Sequence, residues 1–190
     1  SPPGRLETNG VAKQLEVTDH RRDSAGMIYV YPVVSRRAGG VSIGINLNPN
    51  NACNWRCIYC QVPDLKRGSA PPIDMAQIER ELRGFVETLL HGDFMRLHVP
   101  EGARQIVDVA FSGNGEPTSA REFPQAIELV GRVLRETGLD RTVKIRLITN
   151  GSLLGRRQVQ EGLRRLGELG GEAWFKVDAG TTEGYRRINN

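Results

Sequence analysis

The stretch VSIGINLNPNNACNWRCIYC, residues 41–60, changes character halfway along. Its first part is rich in β-branched residues and reads as a strand, with Asn46 and Asn48 alternating with Ile45 and Leu47. The rest is a polar, Asn-rich loop that holds all three cysteines of the chain, Cys53, Cys57 and Cys60. Upstream, MIYVYPVVS (27–35) is a second strand-like run, joined to the first by the turn-like RRAGG. Downstream the period switches to that of a helix: in IDMAQIERELRGFVETLL (73–90), Met75, Ile78, Leu82, Phe85, Val86 and Leu89 share one face.

The alternation continues to the end of the chain. QIVDVAF (105–111) is a short strand, and REFPQAIELVGRVLRETG (121–138) a helix stopped by Gly138. VKIRLITNG (143–151) is a strand, Val159, Leu163 and Leu166 mark a helix, and AWFKVDAG (173–180) is the last strand. TTEGYRRIN (181–189) has the look of another helix start. Strands alternating with helices predict an α/β fold with a parallel sheet and right-handed crossovers. Each strand runs into a polar or Gly-rich stretch: NPNNACNWRC, SGNGEPT, TNGS and DAGTTE. Ligands of such sheets collect at the carboxyl ends of the strands, so four loops converge on one rim.

Bulk composition sets the limits. With 190 residues, 38% hydrophobic and 25% charged, the chain has the make-up of one folded domain rather than of a disordered segment. Residues 1–25 are polar and aperiodic and read as a flexible N-terminal arm, leaving 26–190 as the domain. No apolar run approaches the ~20 residues of a membrane span, and the cytoplasm is the expected compartment. The net charge of +4 comes largely from arginine pairs such as Arg36–Arg37, Arg156–Arg157, Arg164–Arg165 and Arg186–Arg187. Such pairs can hold phosphate, but no run of five basic residues occurs, and a solvated basic surface is the plainer reading.

Three readings compete for the cysteines. A structural zinc site wants four ligands; no fourth cysteine exists, and His20, His91 and His98 lie outside the loop. Buried structural cysteines belong in apolar segments, not in an Asn-rich loop. The third reading is an iron–sulfur cluster held by three thiolates, with one iron left open for chemistry.

A CxxxCxxC loop with an aromatic residue, Tyr59, before its last cysteine, placed after a strand of a β/α domain, resembles the radical S-adenosylmethionine (radical SAM) enzymes. The resemblance implies a partial (β/α)6 TIM-like barrel of parallel strands with a short N-terminal β extension. It implies that Cys53, Cys57 and Cys60 bind one [4Fe-4S] cluster whose fourth iron takes S-adenosyl-L-methionine (SAM). Reductive cleavage of SAM then yields a 5′-deoxyadenosyl radical that abstracts a substrate hydrogen, with an external one-electron donor of flavodoxin or ferredoxin type. SGNGEPT resembles the family's glycine-rich SAM-binding motif, which makes Gly113, Asn114, Gly115 and Glu116 cofactor-binding candidates, Glu116 as a negative charge for the ammonium group. TNGS adds Thr149, Asn150 and Ser152, and KVD adds Lys176 and Asp178 on one strand face. Tyr59 is a further candidate in the cysteine loop; the catalytic residues are not identified.

A closer likeness, covering about Tyr31 to Asn189, is to small Fe–S oxidoreductases related to the wyosine-tRNA synthases. Those synthases resemble enzymes with a second cluster, and the three cysteines here leave none for one. Substrate classes therefore stay open: RNA, a small molecule or a protein. The family barrel has six β/α units and about four are readable before Asn190, so either the barrel is open and short or the 190 residues are part of a longer protein. The reading from a different class is a non-catalytic zinc or iron–sulfur domain, serving as a structural staple or electron carrier. Trp174 is read as core.

Overall fold

Residues 26–35, 39–58 and 60–176 are described by the computed structural model. In chain order the elements are β1 (Val30–Ser35), β2 (Gly40–Ile45), β3 (Ala52–Cys53), β4 (Lys66–Arg67), α1 (Met75–His91), α2 (Phe94–His98), β5 (Ile106–Phe111), α3 (Phe123–Glu136), β6 (Lys144–Thr149), α4 (Arg157–Glu168) and β7 (Glu172–Phe175). One sheet has the order β1-β2-β5-β6-β7. Strands β2, β5, β6 and β7 run parallel, and β1 adds an antiparallel edge. The expected strand–helix alternation and the N-terminal β extension are both present. The sheet is mostly parallel, and no closed barrel is seen among the described residues. Residues 1–25 and the helix start expected at 181–189 lie outside the described residues.

Alternation along each strand separates two faces. Ile43, Ile45, Val109, Phe111, Ile145 and Leu147 are all buried and belong to one core with residues of the helices. Helix α1 supplies Ile78, Leu82, Phe85, Val86 and Leu89, the face its spacing predicts. It starts at Asp74, whose carboxylate accepts the Gln77 N–H at 3.0 Å, an N-cap worth about 1 kcal/mol. Phe123 of α3 meets Phe111 edge-on, centroids 6.3 Å apart, and this packing anchors the loop between β5 and α3. Glu81 breaks the apolar pattern of α1 yet is buried: its carboxylate accepts the backbone N–H groups of Ile28 and Tyr29, satisfying the approach to β1.

On the opposite face the same period places a polar ladder across four strands. Ser42 bonds Asp108, Arg146 pairs with Asp108 at 2.5 Å and with Glu172 at 3.3 Å, and Lys144 reaches Glu172 at 2.5 Å. Lys144 and Arg146 hold the Glu172 carboxyl below its ordinary range, aided by the indole N–H of Trp174. Trp174 corrects the sequence reading. It is 51% exposed, not core, because it alternates onto this polar face of the edge strand β7, where the Arg146 guanidinium lies 4.9 Å from its ring centroid.

Candidate functional site

Every loop that the sequence singled out within the described residues leaves the sheet at the carboxyl end of its strand, and three of them are hydrogen-bonded together there. The cysteine loop opens as Leu47 and Asn48 leave β2. Asn48 is 1% exposed; its amide donates to Ala52 O at 3.0 Å and Ser119 Oγ at 3.3 Å, while its Oδ1 is buried without a partner. Asn46 Oδ1 accepts the backbone N–H of Asn48 at 3.0 Å and of Asn114 at 3.2 Å, joining the loop after β2 to the loop after β5. Asn114 completes the join through its amide, which donates to Asn51 Oδ1 at 2.6 Å.

Gly113 and Gly115 are required by this closeness. A Cβ on Gly113 would sit 2.3 Å from Asn46 Oδ1, and one on Gly115 would sit 2.0 Å from Ala52 O. Only the absence of a side chain lets the SGNGEPT backbone lie against the first turn of the cysteine loop.

Glu116 ties in the third loop. It is 2% exposed, and its Oε1 accepts from Thr118 Oγ1 (2.6 Å), Thr149 Oγ1 (2.5 Å) and the Thr118 N–H (3.3 Å). Its Oε2 accepts the Asn150 N–H at 2.8 Å. Both oxygens thus have internal partners, and the carboxylate fastens the end of β6 to the end of β5. Replacing Glu116 with Gln puts an NH2 group opposite either the Thr hydroxyls or the Asn150 N–H. The unpaired donors should cost about 1–3 kcal/mol, read by urea denaturation of the apoprotein; unchanged stability would mean that these bonds do not hold the rim together.

The cysteine and TNGS loops meet directly. Asn54 Nδ2 donates to Ser152 Oγ at 2.7 Å, and Asn54 Oδ1 accepts from Asn150 Nδ2 at 3.1 Å. Asn150 Oδ1 in turn accepts the Ser152 N–H at 3.0 Å. The thiol of Cys53 contacts the same Asn54 Oδ1 at 3.9 Å. Sequence reasoning missed Asn51 and Asn54, although the density of Asn in NPNNACN is the trace they leave.

No disulfide joins the three cysteines; Cys53 and Cys57 are half-buried and Cys60 is exposed, and the Cys60 N–H bonds Cys57 O in a tight turn. Burial pushes the Cys53 thiol up, and the negative charge of Glu116, Cys57 and Cys60 adds to that, against a backbone N–H of Trp55 that pulls it down. Among the described residues, however, no three His, Cys, Asp or Glu side chains are gathered as a metal-ion site. As a donor set the three soft sulfurs suit iron; as placed here they do not form a finished site. Lys176 is exposed and bonds the end of β6 only through its backbone N–H, to Thr149 O at 2.9 Å. Tyr59 and Asp178 lie outside the described residues.

The arginine pairs divide. Arg164 and Arg165 are held by Glu161, and Arg165 also by Glu128. The two guanidinium groups hold the exposed Glu161 carboxyl down at about 2. Composition suggested a solvated basic surface; here that surface is ion-paired to glutamates. Arg36–Arg37 and Arg186–Arg187 lie, in whole or in part, outside the described residues.

A parallel α/β sheet with a three-cysteine loop fastened to two glycine-containing loops at its carboxyl rim defines a class. The chain belongs to the radical SAM superfamily, whose model matches residues 47–190. Members of that superfamily typically use SAM and a [4Fe-4S] cluster. The chain is 31% identical over 160 residues to a UPF0026 protein of Helicobacter pylori, covering 83% of this chain and 44% of that protein. A UPF0026 protein of Methanocaldococcus jannaschii is 27% identical over 164 residues, 83% of this chain and 42% of the relative. A protein named GTPase Obg from Brachyspira hyodysenteriae is 26% identical over 132 residues, 70% of this chain and 17% of the relative. The chain thus spans less than half the length of these relatives. No solved structure matches it at a significant level. No helix among the described residues is long and apolar enough to cross a membrane.

Proposed function

We propose that residues 26–190 form the SAM-cleaving domain of a radical SAM enzyme, built as part of a (β/α)6 TIM-like barrel. Cys53, Cys57 and Cys60 hold one [4Fe-4S] cluster, and SAM binds beside it. When bound, the cluster and SAM supply a 5′-deoxyadenosyl radical able to abstract a substrate hydrogen. Cluster ligation would bring these three thiols together, which the described arrangement does not yet do. Gly113, Asn114 and Gly115 present backbone to SAM, and Asn150 and Ser152 offer polar groups beside the cysteine loop. Thr149 and Glu116 act by holding those loops in place. Lys176, Tyr59 and Asp178 complete the set of cofactor contacts.

The observation that carries this reading is the Asn54 bridge between Cys53 and the Asn150–Ser152 turn, which puts the thiol loop and the proposed SAM loop in one hydrogen-bonded unit. The zinc or electron-carrier alternative needs a fourth protein ligand. The carboxylate that influences Cys53, Glu116, is already committed to Thr118, Thr149 and Asn150. Likeness to the oxidoreductases related to wyosine-tRNA synthases supports RNA as one substrate class; the commitment of Arg164 and Arg165 to glutamates favours a small molecule or protein. Anaerobic reconstitution with iron and sulfide, followed by dithionite and SAM, should give 5′-deoxyadenosine. Failure to bind iron, or iron without SAM binding, returns the chain to the non-catalytic class.

A further inference from the structure

The cysteine loop carries charge that nothing in the described structure neutralises. Arg56, Lys66 and Arg67 are exposed, and none has a carboxylate partner among the described residues, whereas Arg83, Arg132, Arg164 and Arg165 on the helices are ion-paired. Between residues 51 and 70 these three cations face a single carboxylate in sequence, Asp64. Their placement beside the thiols is built into the fold. The short parallel pair β3–β4 sets Cys53 opposite Arg67 and Ala52 opposite Lys66, closed by the Lys66 N–H to Asn51 O and the Gly68 N–H to Cys53 O, both at 3.0 Å. Arg56 directly precedes Cys57. A cleft of about 240 Å³ lined by Trp55, Arg56, Leu65 and Arg67 opens between the two arms of the loop. Between Cys57 and Cys60, Ile58 is 74% exposed, the most exposed of the large apolar side chains among the described residues.

Exposed cations and an exposed apolar side chain on one loop are the anatomy of a small, transient redox interface. Such interfaces lie at the low end of buried area, and complementary charge raises their encounter rate and sets orientation more than it adds affinity. We infer that Arg56, Lys66 and Arg67, together with the exposed Ile58 of the same loop, form the docking surface for an acidic one-electron carrier protein. This inference rests on the proposed cluster at Cys53, Cys57 and Cys60. One electron leaves the reduced carrier and one is gained at the cluster, so a flavin hydroquinone carrier ends as its semiquinone. No proton or bond need move in that step. Docking at the loop brings the carrier to the side of the cluster where Cys60 is exposed, and transfer rates fall steeply with distance. None of the three cations is among the groups that fasten Gly113–Glu116 and Asn150–Ser152 to the cysteine loop.

The test uses the reconstituted protein and an acidic flavodoxin as probe. Binding of oxidised flavodoxin is measured by titration calorimetry from low to high salt, and oxidation of its hydroquinone by stopped-flow absorbance. The variant R56Q/K66Q/R67Q should weaken binding at low ionic strength by about tenfold or more and flatten its salt dependence. Hydroquinone oxidation should slow in parallel, while dithionite-driven 5′-deoxyadenosine formation is unchanged. The charge-conserving R56K/R67K should behave as the parent, which separates lost charge from lost folding. Ile58→Ser should speed dissociation without altering the salt slope. Flavodoxin binding that is identical in R56Q/K66Q/R67Q and the parent overturns the inference. So does a variant that loses salt-sensitive binding to an oligouridylate while keeping flavodoxin, which would make the patch a nucleic-acid surface. If the parent itself fails to cleave SAM with dithionite, the functional proposal falls, and the calorimetry still decides whether the surface binds the carrier.

Discussion

Cys57→Ala is expected to remove SAM cleavage altogether. Cys57 is the central thiol of the three, flanked by Arg56 and Ile58 and turned back on Cys60 through the Cys60 N–H to Cys57 O bond. A three-thiolate cluster that loses one ligand has only two protein anchors, and no fourth cysteine exists in the chain to replace it. Changes one shell further out typically cost roughly 10–100-fold in metal affinity or activity, so loss of a ligand should exceed about 100-fold and bring 5′-deoxyadenosine to the no-protein background. Iron content and the visible absorption of the cluster should fall with it. The apoprotein should keep its stability to within about 1 kcal/mol, because Cys57 is only half-buried and stands outside the hydrophobic core cluster. This split between unchanged folding and lost chemistry is informative. If Cys57→Ala still cleaves SAM, the three-cysteine assignment is wrong whatever the family.

Gly115→Ala is expected to damage both folding and function. The new methyl would lie 2.0 Å from Ala52 O, 2.8 Å from Asn48 Cγ and 2.9 Å from Asn48 Cβ. The first of these is backbone and cannot swing aside. Either the SGNGEPT turn or the start of the cysteine loop must move, and both are tethered: Asn48 to Ala52 and Ser119, Asn114 to Asn51 and Asn46. Overpacking of this kind costs about 1–3 kcal/mol, or roughly 2–4 °C in melting temperature for each kcal/mol in a chain of this size. The effect on SAM cleavage should be larger, because a misplacement of about 1 Å can cost on the order of a hundredfold. Gly84→Ala is the control. Nothing lies within 4 Å of its Cβ position on α1, so the exchange should stabilise by about 0.5–1 kcal/mol through helix propensity. A Gly115→Ala protein with normal melting and normal SAM cleavage would show that the two loops need no such contact.

Much of this could be read along the chain. The helix face of α1 from Ile78 to Leu89, the strands around Val109 and Ile145, and the stop after α3 follow from periods of 3.6 and 2 and from a glycine, all of them local signals. The short α2 and the two-residue pair β3–β4 were missed because neither contains a full period of anything. Trp174 was misread because an aromatic in an apolar strand is usually core. Which face it occupies depends on the register of β7 against β6 and on the Asp108–Arg146–Glu172 ladder, whose members lie far apart in sequence.

The candidate site divides in the same way. The identity and spacing of Cys53, Cys57 and Cys60 are covalent facts, and with the order of SGNGEPT and TNGS behind them they were enough to point to the superfamily that the match over residues 47–190 establishes. The roles of the surrounding residues were beyond that reading. Glu116 was expected to face a bound cation; what the sequence did not reveal is that its carboxylate also holds Thr149 and Asn150, more than thirty positions away. Asn54 was not singled out at all, yet it joins the cysteine loop to Ser152 across 98 positions. A ligand motif is a short-range pattern because its donors must share one loop. A buried carboxylate or amide takes whatever partner the folded sheet brings within about 3 Å. The sequence by itself therefore determined the class of chemistry and the order of the elements. Only the packed sheet decided which loops touch, which polar groups are consumed in holding them, and which cations are left facing outward beside the thiols.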